Sequence, residues 1–142
     1  MFHRPARCRT FVAALALALA ALGLALPAAA RAAELKLSKG DQISIIGNTL
    51  ADRMQHDGWL ETYIQSRFPQ LQLTFRNLGF SADEIDTRPR SQNFGSPDEW
   101  LKRTKADVVF AFFGYGESFS GPQGVDKFKQ QVARLIDHTQ SQ

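Results

Sequence analysis

Cysteine is nearly absent from this 142-residue chain, which has only Cys8. No disulfide can form within it, so the fold must rest on packing alone. Histidine is scarce too. His3, His56 and His138 show no metal-ligand spacing, so no metal is expected. A dinucleotide fingerprint needs its glycines between the first strand and its helix. Gly114-x-Gly116 and Gly121-x-x-Gly124 lie elsewhere, and no cofactor is expected. Basic residues never gather into a run interleaved with aromatics, which excludes nucleic acid as a partner. The longest apolar stretch, Phe11 to Leu26, has 16 residues. A membrane-spanning helix takes roughly 20, so no stable span is expected.

That stretch reads as the core of an export signal. Arg4, Arg7 and Arg9 precede it, and Ala30-Arg31-Ala32 follows, with small residues at the two positions a signal peptidase reads. The competing reading is an uncleaved anchor. It fits less well, because the run is alanine-rich and ends at Pro27 beside the cleavage site. Cys8 has no lipobox around it. The expected division is a signal peptide over residues 1–32 and one partial domain over 33–142, periplasmic or secreted.

Removing the signal changes the charge. Arg4, Arg7, Arg9 and Arg31 are 4 of the 17 basic residues, which leaves 13 basic against 14 acidic, a net charge of −1. The formal +3 of the full chain therefore carries no message about an acidic partner. About 110 residues remain, which suits one small domain and is short for a complete doubly wound sheet.

The mature stretch alternates strand-like and helix-like runs. Gln42 to Ile46 is short, apolar and β-branched, as in a buried parallel strand. Asn48 or Thr49 can cap the helix that follows. His56-Asp57-Gly58 interrupts that helix. Trp59, Leu60, Tyr63, Ile64 and Phe68 then repeat at helical spacing as one apolar face, and Pro69 ends it. Leu71, Leu73 and Phe75 alternate as a second strand. Ser81 to Asn93 is irregular. Ser96-Pro97-Asp98-Glu99 carries a capping-box helix start, after which Trp100 and Leu101 face the core. Val108 to Phe113 is the most hydrophobic run of the mature chain and reads as a central strand. Val125, Phe128, Val132, Leu135 and Ile136 mark a last amphipathic helix. The order β-α-β-α-β-α implies an α/β protein with a right-handed parallel sheet.

Each strand-like run ends in a short glycine-bearing turn. These are Gly47-Asn48-Thr49-Leu50, Asn77-Leu78-Gly79-Phe80-Ser81 and Gly114-Tyr115-Gly116-Glu117-Ser118. Ligands of open α/β sheets bind outside the carboxyl ends of the strands, so the three turns are candidates for one rim. Asn48 and Glu117 are candidate ligand-binding residues there, and Glu117 reads equally well as a solvated strand-end carboxylate. Arg88 and Arg90 can hold an anionic ligand. The same two arginines can instead pair with Asp83, Glu84 and Asp86 in a salt-bridged loop.

The order of these turns resembles the GDSL, or SGNH, hydrolase family. Gly47-Asn48-Thr49-Leu50 is similar to its Gly-Asp-Ser-Leu block, with Thr49 at the nucleophile position. Asn77-Leu78-Gly79 resembles the second block, which makes Gly79 N–H an oxyanion donor. Gly114-Tyr115-Gly116-Glu117 matches the Gly-x-Asn-Asp block in position, with Gly116 where the family has Asn. The late Asp-x-x-His of the family does not occur. Further likeness in Gln55, His56, Gly58, Trp59 and Glu61, then Arg76 to Gly79, Asn93 to Ser96 and Phe112 to Gly114, points to a bacterial exported subgroup. In that subgroup the module often precedes sugar-dehydrogenase-like and haem-binding parts. The resemblance spans Asp41 to about Ile136, the N-terminal half of the family's domain. It implies a flavodoxin-like three-layer parallel sheet of the SGNH type, incomplete, with further domains downstream in full-length relatives. It also implies ester hydrolysis, with a small-molecule ester or an acylated glycan as partner.

The residues themselves pose an obstacle to that chemistry. A hydroxyl nucleophile needs a base within hydrogen-bond reach. His56 is 7 residues beyond Thr49, about 10 Å away on a continuous helix. His138 lies near the end of the chain. Gly116 removes a side-chain donor worth about 3 kcal/mol in an oxyanion hole. Two readings therefore stand beside the esterase: a non-catalytic module that binds a glycan or a partner, and a truncated product. The export reading has its own check. Mass spectrometry of the periplasmic or secreted fraction should find an N-terminus within a residue or two of Ala33, and recovery of only the Met1 form from the cytoplasm would overturn it.

Overall fold

The computed structural model of the chain describes residues 34–142. The segment read as an export signal, with His3 and Cys8, lies outside the described residues. Strand β1 (Gln42–Gly47) is followed by helices α1 (Thr49–Asp57) and α2 (Trp59–Arg67). Strand β2 (Thr74–Asn77), helix α3 (Pro97–Arg103), strand β3 (Val108–Phe112), the short α4 (Tyr115–Ser118) and the long α5 (Val125–Gln140) complete the order. The strands form one parallel sheet in the order β2-β1-β3. Ile43 lies across from Phe75 on one side and Val108 on the other.

The sheet is covered on both faces, because successive side chains of a strand point to opposite sides. On one face Ile43 packs with Ile64 of α2 and with Leu73, joined by Leu60, Val108 and Phe110. On the other, the buried Ser44 hydroxyl meets Thr104 Oγ1 at 2.9 Å, just past α3. Ile46, Val109 and Ala111 line a hollow on that side with Leu135 and Ile136 of α5. The result is a flavodoxin-like α/β fold with three layers. Positions 43 to 47 of β1 are all buried, as its unbroken apolar run predicts.

Most element boundaries follow the local signals. Gly58, at φ 60°, ends α1 with its N–H on Met54 O. Glu99 N–H donates to Ser96 Oγ and Ser96 N–H to Glu99 Oε2, which completes the capping box. Three expectations need correction. Leu71 is not in a strand: Pro69–Leu71 is a 3-10 turn and Gln72 is left-handed at φ 53°, so β2 starts only at Thr74. The apolar face of α2 is narrower than its spacing suggests. Leu60 and Ile64 turn inward, while Trp59 is 77% exposed and Tyr63 58%, with Arg67 stacked over the Tyr63 ring. Third, β1 is the central strand. Among the described residues β3 pairs with β1 alone, which leaves its other edge open.

Two glycines set how closely the elements approach. Gly47 has φ 142°, and a Cβ there would collide with the Phe112 carbonyl oxygen. A Cβ on Gly79 would lie 2.5 Å from Ala51 Cβ and 2.8 Å from the backbone of α1. Nothing flexible is available to yield, so Gly79→Ala should lower stability by roughly 1–3 kcal/mol through overpacking. Urea unfolding of the two proteins measures this, and an unchanged midpoint would contradict the close approach.

Candidate functional site

Backbone hydrogen bonds draw the three strand-end turns together. Leu78 N–H donates to Ile45 O at 2.7 Å, Phe80 N–H to Gly47 O at 3.0 Å, and Asn48 N–H to Phe112 O at 3.1 Å. The end of β1 is thus stitched to the turns after β2 and β3. A cleft of about 380 Å³ opens there, lined by Asn48, Thr49, Ser81, Asp83, Glu84 and Gly116, with Tyr115 and Phe119 at its side. A second hollow beside Thr49 is apolar, with Leu50, Phe112, Phe113 and Tyr115 in its wall. Tyr115 and Phe119 are 71% and 77% exposed, and their rings meet edge to face at 5.3 Å.

Asn48 and Thr49 divide two roles between them. Asn48 is the cap: it is buried, and its Oδ1 accepts from Leu50 N at 3.2 Å. Thr49 is the first residue of α1 and is exposed in the cleft. Its N–H is among the helix-start donors that have no intrahelical partner.

The remaining sequence-predicted residues are more committed than their motifs suggest. Gly79 N–H donates to Asn77 Oδ1 at 2.8 Å, and Asn77 Nδ2 donates to Ala51 O at 2.7 Å. The donor expected to face an oxyanion is thus satisfied by its own turn. Glu117 accepts from Gly114 N at 2.9 Å and from Ile85 N at 3.0 Å. Both of its oxygens fasten backbone, so it is neither a free ligand group nor a solvated carboxylate. Gly116 packs against Glu84, whose Oε1 would be 2.6 Å from an added Cβ. Glu84 fills the volume that an Asn side chain would need. His56 is exposed in the last turn of α1. His138 Nε2 meets Asp98 Oδ2 at 2.8 Å, between α5 and the start of α3. Among the described residues no histidine lines the cleft.

Three residues of this rim, Ser81, Asp83 and Glu84, had no site role in the sequence reading, which gave Ser81 only a place in a turn and the two carboxylates only a place in a salt-bridged loop. Ser81 Oγ donates to Asp52 Oδ2 at 2.5 Å, which ties the turn after β2 to α1. Glu84 and Asp83 both line the cleft. Their only sequence signal was the acidic crowding of residues 83 to 86, which reads equally well as a salt-bridged loop. That loop reading holds in part. Arg88 faces Asp83 at 4.0 Å, while Asp86 turns away to Gln131 and Arg134 of α5. Arg90 lies over the rings of Phe94, at 4.0 Å, and Phe80, at 5.3 Å. Burial raises the Asp83 carboxyl above its ordinary 3.8, against the opposing pull of Arg88 and Arg90.

The fold and its rim define an α/β protein with a polar cleft at the carboxyl ends of a three-stranded parallel sheet. No protein-family model and no curated protein match the chain. Among solved structures it is similar to a gut microbial diltiazem-metabolizing enzyme, with TM-score 0.44 and 19% identity over 75% of this chain and 24% of that one. The chain thus spans about a quarter of the length of that structure.

Asp83 gives the fold a pH signature. A carboxyl raised in the folded state binds its proton more tightly there than in the unfolded chain. Its contribution to stability is therefore most favourable below pH 3.8 and falls as pH rises through the folded value. Asp83→Asn removes that dependence. Its melting temperature relative to the parent should be higher at pH 7 than at pH 3.5. A difference that is flat, or that runs the other way, would contradict the raised carboxyl.

Proposed function

We propose that this chain is an exported SGNH-type, GDSL-like esterase relative whose cleft binds a carboxylic ester, an acylated carbohydrate among the candidates, and that the described residues bring no histidine base to Thr49 for efficient turnover. The observation that carries the reading is the position of Thr49. It follows β1 after Asn48, heads α1, and opens into a cleft that also takes in the Gly116 turn. The apolar hollow at Leu50, Phe112 and Tyr115 suits an acyl group, and the polar cleft beside it suits the rest of an ester. A nucleophile without a base stays a neutral hydroxyl. A carboxylate at Glu84 also opposes negative charge developing nearby.

The second reading, a binding module, rests on the polar groups of the loop between β2 and α3, which need no chemistry to hold a ligand. Two measurements separate the readings. Hydrolysis of p-nitrophenyl acetate should be negligible and unchanged in Thr49→Ala, and a fluorophosphonate probe should leave Thr49 unlabelled. Robust turnover lost in Thr49→Ala would refute the missing base and start a search at Glu84, His56 and His138. The ester-binding cleft is tested by NMR with a short-chain amide isostere of an ester. The amide resonances of Asn48 to Leu50 should shift saturably, and no shift at these residues would overturn the cleft assignment.

A further inference from the structure

A second, smaller cavity lies behind the rim, beneath the irregular stretch between β2 and α3. Its volume is about 40 Å³, and Ile46, Asp83, Arg88, Arg90, Phe94 and Trp100 line it. One water-sized sphere needs about 10–15 Å³ on this measure, so the cavity admits a group of two or three heavy atoms. It is built by specific contacts. Ile85 N–H is fastened to Glu117, Arg88 stacks over Phe113 at 4.4 Å, and Phe94 stacks on Trp100 at 4.7 Å with 16° between the rings. Trp100 Nε1 donates to Phe94 O at 3.1 Å, which holds that wall in place.

The polar groups of this cavity do not satisfy one another. Asp83 is only 6% exposed, and its buried Oδ1 has no hydrogen-bond partner among the described residues. Arg88 stands 4.0 Å from Oδ2, beyond hydrogen-bond distance. Its Nε donates to Ile85 O at 3.3 Å. Arg90 lies over the Phe80 and Phe94 rings. A buried acceptor left without a donor is costly, so the missing partner is informative about what belongs there. An anion would suit the arginines and meet the Asp83 carboxylate. A cation would suit Asp83 and meet two guanidinium groups. A hydroxyl donates and accepts at once, so it can bond Asp83 and an arginine together.

We propose that this cavity is a binding subsite for a neutral polyhydroxy ligand, a sugar whose terminal hydroxymethyl group enters between Asp83 and Arg88. Asp83 also lines the cleft at Thr49, so a sugar seated here places its remaining hydroxyls toward the rim. The inference deepens the reading of the rim as a ligand site, and it does not depend on Thr49 acting as a nucleophile.

Fluorescence offers a direct test, because the chain has two tryptophans, Trp59 and Trp100, and Trp59 is exposed on α2. In the Trp59→Phe protein, Trp100 emission is titrated with glucose, 6-deoxyglucose, acetate and ammonium at constant ionic strength. The expected result is a saturable change with glucose in the millimolar range, about tenfold weaker with 6-deoxyglucose and absent with either ion. Asp83→Asn and Arg88→Gln, each checked for an unchanged circular dichroism spectrum, should weaken glucose at least about tenfold. No saturable response to glucose, equal binding of 6-deoxyglucose, preference for acetate or ammonium, or full binding by both folded variants would each overturn the proposal. No ester is present, so failure here leaves the Thr49 reading standing, and failure of ester binding at Asn48 to Leu50 leaves this one standing.

Discussion

The contact between Gly47 and the Phe112 carbonyl is the constraint on which the site depends. Only a residue without Cβ lets the end of β1 pass so close to β3. That approach puts Asn48 N–H on Phe112 O and leaves Gly47 O free to accept from Phe80 N–H. One residue therefore sets the position of three turns. Thr49 is held at the rim because the chain has nowhere to go after Gly47 except into α1, capped by Asn48. Pushing β1 away from β3 would separate the Thr49 turn from the Gly116 turn and open the cleft.

The electrostatics of the rim follow from how its turns are fastened. Glu117 and Asn77 are used internally, each bridging a turn to a neighbouring element. The groups left facing the cleft are then hydroxyls and carboxylates: Thr49, Ser81, Asp83 and Glu84. Such a lining accepts hydrogen bonds from a ligand more readily than it donates them to an oxyanion. The neighbouring arginines do not reverse the balance. Arg88 is stacked on Phe113 and Arg90 on Phe94 and Phe80, where they serve the loop cavity.

Much of the fold was legible in the residues because it rests on local or periodic signals. The buried run Ile43 to Ile46, the Ser96–Glu99 box and the Gly58 stop each announce themselves within a few residues. What stayed hidden depends on partners distant in sequence. Gly116 reads as a missing donor until Glu84, 32 positions earlier, is seen against it. Gly79 reads as a free N–H until the Asn77 side chain is seen to fold back on it. The hydrophobicity of Val108 to Phe113 reports burial of its faces and not its place in the sheet order, so it could not show that β1 lies in the middle. Trp59 and Tyr63 sit at helical spacing with Leu60 and Ile64, yet a stripe two residues wide exceeds what the core can take from α2.

Asp83 joins the two cavities, and this has a chemical consequence. It is enclosed, its carboxyl is raised by burial, and it borders both the cleft at Thr49 and the smaller hollow at Trp100. A hydroxyl bound in the hollow would give the buried Oδ1 of Asp83 the donor it otherwise lacks, and would fix this side chain where it also borders the cleft.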